Sequence, residues 1–220
     1  MKKEFLIDSR LTVIVAPSDA ERLGLPLDEI VREAALGGAD LIQLRDKVST
    51  DEELLVIAGR LAPVARRHGA AFIVNDRPQI AKLSGADGVH LGQEDAAVRQ
   101  ARLLLGDEAI IGKSTHSLKQ ALAAREDGAD YIGFGPIYPT PTKPDYRPVG
   151  LEALRAAVET VRIPLFAIGG IDLLTLNSVL ETGAKRVAVV RAATPNRHVL
   201  ESVRGLKRAL KQSRGRISPC

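Results

Sequence analysis

Tryptophan is absent from this chain, and only three tyrosines and four phenylalanines occur among its 220 residues. A core must therefore be mostly aliphatic, and the composition argues against an aromatic platform for stacking single-stranded nucleic acid. The one cysteine, Cys220, rules out an intrachain disulfide and gives no sign of an oxidising compartment. No cysteine–histidine cluster has the spacing of zinc ligands. The opening MKKEFLIDSR has only three apolar residues in a row before Asp8, too few for the core of a signal peptide, and no later run approaches a membrane span. The expectation is a soluble, cytoplasmic protein without a membrane partner.

What is present is an ordinary globular balance, 45% apolar and 26% charged, which argues against disorder or coiled coil. Much of the net charge of +4 falls between Arg204 and Arg216, where neither an acidic nor an aromatic residue intervenes. A solvated last helix accounts for that run, and no nucleic-acid partner is expected.

Short β-branched runs alternate with longer amphipathic stretches: 11–16, 40–45, 71–75, 87–91, 109–113, 130–135, 164–169 and 185–190 read as strands. Helical patterns occupy 51–66 and 151–160, with further helices expected at 172–180 and from 197. A repeat marks every second strand: Gly38-Ala39-Asp40, Gly85-Ala86-Asp87, Gly128-Ala129-Asp130 and Gly183-Ala184-Lys185. Each glycine falls just past a helical pattern, where a left-handed cap favours a residue without Cβ. Four copies of a two-unit repeat make eight strands, so the expected fold class is α/β, a (β/α)8 TIM barrel in a single domain over 1–220, with 213–220 a flexible tail. A doubly wound open sheet is the alternative, but no glycine-rich dinucleotide fingerprint follows the first strand.

Active sites of such barrels lie at the C-terminal ends of the strands, and those ends are polar here. The second strand closes on Gln43-Leu44-Arg45-Asp46-Lys47. Alternation places Gln43 and Arg45 on one face and Ile42 and Leu44 against helices. Cations beside an amide suit an anionic substrate, although a solvated loop would look the same. Asn75-Asp76 and Gln93-Glu94-Asp95 end neighbouring strands about 4.8 Å apart, so Asp76 and Asp95 can face one site and supply oxygen ligands for Mg²⁺. Each aspartate also suits a helix N-cap. Lys113-Ser114-Thr115-His116 follows the fifth strand. The stretch from Tyr138 to Pro144 has the length and hydroxyls of a covering loop that delivers Lys143 to a phosphate. Gly169-Gly170 and Val190-Arg191 end the seventh and eighth strands, where barrels commonly cradle phosphate. His90 and His116 have no recognisable nucleophile beside them, so hydrogen-bonding roles are expected of both.

Taken together, QLRDK (43–47), VND (74–76), GVHLGQED (88–95), GKSTH (112–116), GPIYPTPTK (135–143), AIGGI (167–171) and VAVV (187–190) closely resemble the thiamine-phosphate synthase family, in its order and over nearly the whole barrel. The resemblance implies that a pyrimidine diphosphate is joined to a thiazole phosphate with loss of pyrophosphate. It further implies that Gln43, Leu44, Arg45, Asp46, Lys47, Asn75, Ser114 and Lys143 bind the diphosphate substrate, with Arg45, Lys47, Ser114 and Lys143 catalytic. Asp76 and Asp95 would ligate one Mg²⁺, and Thr140, Pro141, Thr142, Gly170, Val190 and Arg191 would hold the thiazole phosphate. Arg191 departs from the family pattern, which commonly has serine after the paired valines. The implied partners are these small molecules, and a homo-oligomer is compatible with the sequence. A thiazole tautomerase using His116, or a noncatalytic phosphate-ligand binder, are the competing readings; the first needs neither the Asn-Asp pair nor Asp95 nor the PTPTK loop.

Overall fold

The computed structural model describes residues 2–140 and 147–212. Strands buried on both faces cannot show a polar side, so their sequences read as almost continuous apolar runs. Eight such strands occur among the described residues: β1 (Leu11–Val15), β2 (Leu41–Leu44), β3 (Ala71–Asn75), β4 (Gly88–Leu91), β5 (Ile110–Thr115), β6 (Tyr131–Phe134), β7 (Leu165–Ile168) and β8 (Val187–Val189). All pair in parallel with their sequence neighbours, and β8 pairs with β1 to close the barrel. The helices are α1 (Lys2–Asp8), α2 (Pro17–Leu23), α3 (Leu27–Gly37), α4 (Asp51–Arg67), α5 (Pro78–Leu83), α6 (Val98–Leu105), α7 (Leu118–Glu126), α8 (Gly150–Thr160), α9 (Leu176–Leu180) and α10 (Val199–Gln212). The (β/α)8 barrel expected from the sequence is thus the observed fold.

Alternation along each strand divides the core into two layers. Ile42, Leu44, Phe72, Val74, Ile132 and Phe134 pack outward among the helices. Each fully buried side chain of this size contributes about 1.5–3 kcal/mol through area removed from water. Leu41, Ile14, Ile73, Ile110, Tyr131, Phe166 and Ala188 fill the interior. Helix α1, which the strand and helix patterning had not singled out, closes the lower end by adding Leu6 to that interior group, while Arg186 donates to Ile7 O at 2.6 Å.

The repeated aspartates act at the lower end, away from any site. Asp40 Oδ2 accepts from Arg10 N (2.7 Å) and Leu11 N (2.9 Å), Asp87 Oδ2 from Phe72 N (2.9 Å), and Asp130 Oδ2 from Ile111 N (2.8 Å). Each also binds a cation from a helix: Lys207 on α10, Arg66 on α4 and Arg102 on α6 respectively. One carboxylate thus satisfies the entry of the preceding odd-numbered strand and anchors a helix to it. The four repeat glycines all have positive φ, between 67° and 103°, as their place after a helix requires.

The helix expected at 172–180 begins only at Leu176. Asp172 Oδ1 accepts from Leu174 N (2.9 Å) and Thr175 N (3.0 Å), and Thr175 Oγ1 accepts from Asp172 N (3.0 Å). These local side-chain bonds offer the backbone a turn in place of a first helical turn.

Candidate active site

At the upper end, Gln43 lies level with Ile14 on β1 and Ile73 on β3, all three facing the interior. Its amide is buried, and so is that of Asn75 at the end of β3. Neither side chain, nor that of half-buried Arg45, hydrogen-bonds to any other described residue. Among the described residues these three side chains therefore keep hydrogen-bonding capacity at one barrel mouth, directed at no protein group. Leu44 turns outward and is fully buried among the helices, so its side chain does not reach the mouth; only its backbone can. Asp46 shapes the loop instead of lining the cavity, its Oδ1 accepting from Val48 N (2.9 Å) and Ser49 N (3.1 Å). Arg77 ties the loops after β2 and β3 together through Ser49 O and Asp51, both at 2.9 Å.

Asp76 is the one described non-glycine residue with positive φ, 66°. Its N–H donates to His90 O (2.8 Å), and Arg77 N donates back to Asn75 O (2.8 Å). This is a tight three-residue turn of the strained kind, a conformation concentrated at functional sites. The turn delivers the carboxylate to Lys47, with which it forms an ion pair. Asp95 arrives from the loop after β4, its Oδ2 accepting from Gly92 N at 2.5 Å. A Cβ at Gly92 would lie 2.8 Å from Asp95 Oδ2 and 3.9 Å from Asp76 Oδ1, so the two carboxylates close around one stretch of backbone. Neither aspartate is a helix cap: the residues before α5 and α6 are Arg77 and Ala97.

Electrostatics sharpens this picture. Burial and the neighbouring Asp95 push the Asp76 carboxyl above its ordinary value despite Lys47. Asp95 is pushed up by burial, but contacts with Asp76 and Gly92 N–H, and the charges of Lys47 and Lys113, leave it below the usual range. Two carboxylates held this close compete for a proton, and a divalent cation relieves the same repulsion. Among the described residues no three metal-ligating side chains converge, but Mg²⁺ typically takes one or two carboxylates and completes its shell with phosphate oxygens and water. The pair fits that ion.

A cavity of about 630 Å³ opens beside this cluster, its wall including Arg45, Ser114, Thr140, Gly170, Val190 and Arg191. Lys47, Asp76 and Asp95 stand outside its lining. The Gly169-Gly170 turn has φ of 99° and 65°. Side chains there would overlap the loop after β6, at 2.4 Å from Pro136 and 2.6 Å from Tyr138. These glycines therefore seat that loop as well as exposing backbone. The N–H groups of Gly170, Arg191 and Ala192 bond to no other described residue, and exposed Arg191 has no ionic partner among them. Pro141, Thr142 and Lys143 lie outside the described residues.

The roles of Lys113, Gln93 and Tyr131 escaped the sequence reading, whereas His116 makes a hydrogen bond as expected. Lys113 donates to Gly92 O (2.6 Å) and Gln93 Nε2 to Ser114 O (2.5 Å), bracing the loop that carries Asp95. Tyr131 reaches His90 across β5, which the small Gly112 permits. His116, a cavity residue, is anchored by Nδ1 to Gly135 O at 2.5 Å.

Fold and mouth together define a (β/α)8 barrel with adjoining cationic and dicarboxylate groups at its C-terminal end. A profile described as thiamine monophosphate synthase matches residues 11–193, and the chain belongs to that family. It is 49% identical over 187 residues to a thiamine-phosphate synthase of Gloeobacter violaceus, covering 85% of this chain and 53% of the relative. A Chlorobium luteolum thiamine-phosphate synthase is 46% identical, with 86% of this chain and 89% of the relative covered. The chain thus spans about half the length of the first of these relatives and most of the second. Thiamine phosphate pyrophosphorylase from Pyrococcus furiosus superimposes with a TM-score of 0.84 at 38% identity, covering 96% of this chain and 98% of that one.

Proposed function

We propose that this chain is a thiamine-phosphate synthase, a transferase that couples a pyrimidine methyl diphosphate to a (carboxy)thiazole phosphate and releases pyrophosphate. The single observation that carries the reading is the set of Gln43, Arg45 and Asn75, whose side chains have no partner among the described residues, beside the Lys47–Asp76–Asp95 cluster. A diphosphate linked to an aminopyrimidine offers charge to the cations and hydrogen-bonding edges to the amides. Among the described residues neither the amides nor Arg45 find such partners.

In this reading the C–O bond to the diphosphate ionises, the thiazole nitrogen captures the resulting pyrimidine-methylene cation, and a carboxylate carried by the thiazole leaves as CO2 after coupling. No protein nucleophile takes part. Arg45 and Lys47, with Lys143, hold the departing pyrophosphate and offset its growing charge, which is most effective where water is excluded. Ser114 hydrogen-bonds to the same substrate. Asp76 and Asp95 would hold Mg²⁺, which supplies Lewis-acid stabilisation of pyrophosphate oxygens when bound. Thr140, Pro141, Thr142, Gly170, Val190 and Arg191 take the thiazole phosphate, with the N–H groups of Gly170 and Arg191 and the Arg191 guanidinium as donors. The substrates are small molecules. Among the described residues no helix is long and apolar enough to cross a membrane, and we place the enzyme in the cytoplasm.

The test is to mix purified protein with Mg²⁺ and both substrates and quantify pyrophosphate and thiamine phosphate, omitting metal as control. Asp76→Ala and Lys143→Ala should each lower turnover by orders of magnitude. Near-normal turnover in both would refute the assignment. Thiazole tautomerisation without coupling would replace the reading itself.

A further inference from the structure

Barrel interiors are normally filled with branched aliphatic side chains. Here β4, β5 and β6 place Gly88, Gly112 and Gly133 at interior positions, alternating with the outward Val89, Ile111 and Ile132. The space is used by two ring side chains. Tyr131 crosses Gly112 so closely that a Cβ there would stand 2.2 Å from the phenol ring, and a Cβ on Gly133 would lie 3.4 Å from His90. The phenol oxygen is 3.0 Å from His90 Nδ1, and His90 Nε2 is 2.9 Å from Ser114 Oγ. Phe166 packs edge-on against Tyr131 and holds the ring in place. The chain Tyr131–His90–Ser114 thus runs from the buried interior to the cavity wall.

The direction of this chain follows from what each atom can donate. Burial and Asp130 push the Tyr131 hydroxyl far above its ordinary value, so it is a neutral phenol with one proton to give. His90 Nδ1 is its one hydrogen-bond partner among the described residues. A buried donor left unmatched is costly, so the phenol donates to Nδ1. The imidazole then carries its proton on Nε2 and donates it to Ser114 Oγ. Ser114 Oγ has no acceptor among the other described residues, which leaves its own proton for whatever occupies the cavity.

We infer that Tyr131 and His90 are positioning residues that orient the Ser114 hydroxyl as a hydrogen-bond donor toward an anionic oxygen of bound substrate. The identity of that oxygen, on the diphosphate, rests on the function proposed above; the orientation does not. A residue in this role assists departure of a charged group and does not serve as a base.

Long-range ¹H–¹⁵N correlation on histidine-labelled, ligand-free protein reads the orientation directly. His90 should be protonated at Nε2, and Tyr131→Phe should mix the two tautomers. Protonation at Nδ1 in the unsubstituted protein overturns the inference, whether or not the variant folds. In the coupling assay Tyr131→Phe should lower kcat about tenfold with KM within twofold. Ser114→Ala should lower it at least as much, and the double substitution should be no worse than Ser114→Ala alone. Multiplicative losses in the double variant would make Tyr131 a merely structural residue and sink the proposal. Absence of any coupling by the unsubstituted protein would defeat the functional reading while leaving the tautomer result to decide the orientation.

Discussion

Asp130 binds the amide of Ile111 at 2.8 Å and the guanidinium of Arg102 at 2.6 Å through the same oxygen, with little of either side chain exposed. Removing the carboxylate strands an amide at the strand entry and takes the counter-charge from Arg102 on α6, which keeps its bond to Ala109 O at 2.5 Å. Hydrogen bonds to charged groups contribute about 1.5–3 kcal/mol, so Asp130→Ala should destabilise by roughly 2–3 kcal/mol in urea unfolding at neutral pH. The sequence revealed the repeat and its glycines but not this work, because the partner amide lies on the preceding strand of the pair, 19 residues away. Asp46 makes a second residue-scale prediction. Burial raises its carboxyl, but Ser49, the N–H groups of Val48 and Ser49, and Arg77 hold it below the ordinary 3.8. A carboxylate depressed on folding stabilises above its unfolded value, and that contribution is lost as pH falls through the folded value. Asp46→Asn should therefore be less stable than the parent at neutral pH, with the gap closing below about pH 4. A gap that persists unchanged into acid would assign the effect to shape and not to charge.

Elements were legible where one period dominated. The strand runs and the helices at 51–66 and 151–160 came from apolar spacing alone, since every strand is buried on both faces and most helices on one. Two departures have local causes. The Asp172–Thr175 bonds delay α9, and α1 is too short and too mixed in character to announce a helix that plugs the barrel. The strained turn at Asp76 was also invisible, because φ is imposed there by the bonds to His90 and Asn75 and not by residue type. Strand β5 carries a prediction that belongs to this scale. Gly112→Ala places a methyl within the Tyr131 ring, and neither the ladder nor the packed Phe166 allows easy retreat. Overpacking of this kind costs about 1–3 kcal/mol. We expect a lowered denaturation midpoint together with changed near-ultraviolet circular dichroism of Tyr131; an unchanged midpoint would mean that the ring is loosely held.

At the scale of the whole barrel, the mouth has two parts that differ in how they were found. Gln43, Arg45, Lys47, Asn75, Asp76 and Asp95 stand at the ends of the consecutive strands β2, β3 and β4 or on the loops that follow them, so their grouping could be read from strand order before any distance was known. The proposed phosphate cradle depends on contacts between the loops after β6, β7 and β8, and glycine pairs in a sequence do not say which neighbour they accommodate. Arg191 tests whether the two parts act separately. It lines the cavity from the β8 end, is exposed, and has no ionic partner among the described residues, whereas Arg45 is half-buried at the β2 end. An exposed cation is screened by solvent, so its contribution falls at the lower end of charge-assisted bonds. Arg191→Ala should therefore raise KM for the thiazole phosphate about tenfold while leaving kcat and inhibition by pyrophosphate nearly unchanged. Arg45→Ala, beside the leaving group, should instead weaken pyrophosphate inhibition and reduce kcat, because its partner's charge grows as the bond breaks. Two-substrate kinetics with pyrophosphate as product inhibitor separates these outcomes. If both substitutions shift both substrates alike, the mouth is one shared anion site, and Arg191 serves the diphosphate as much as the thiazole.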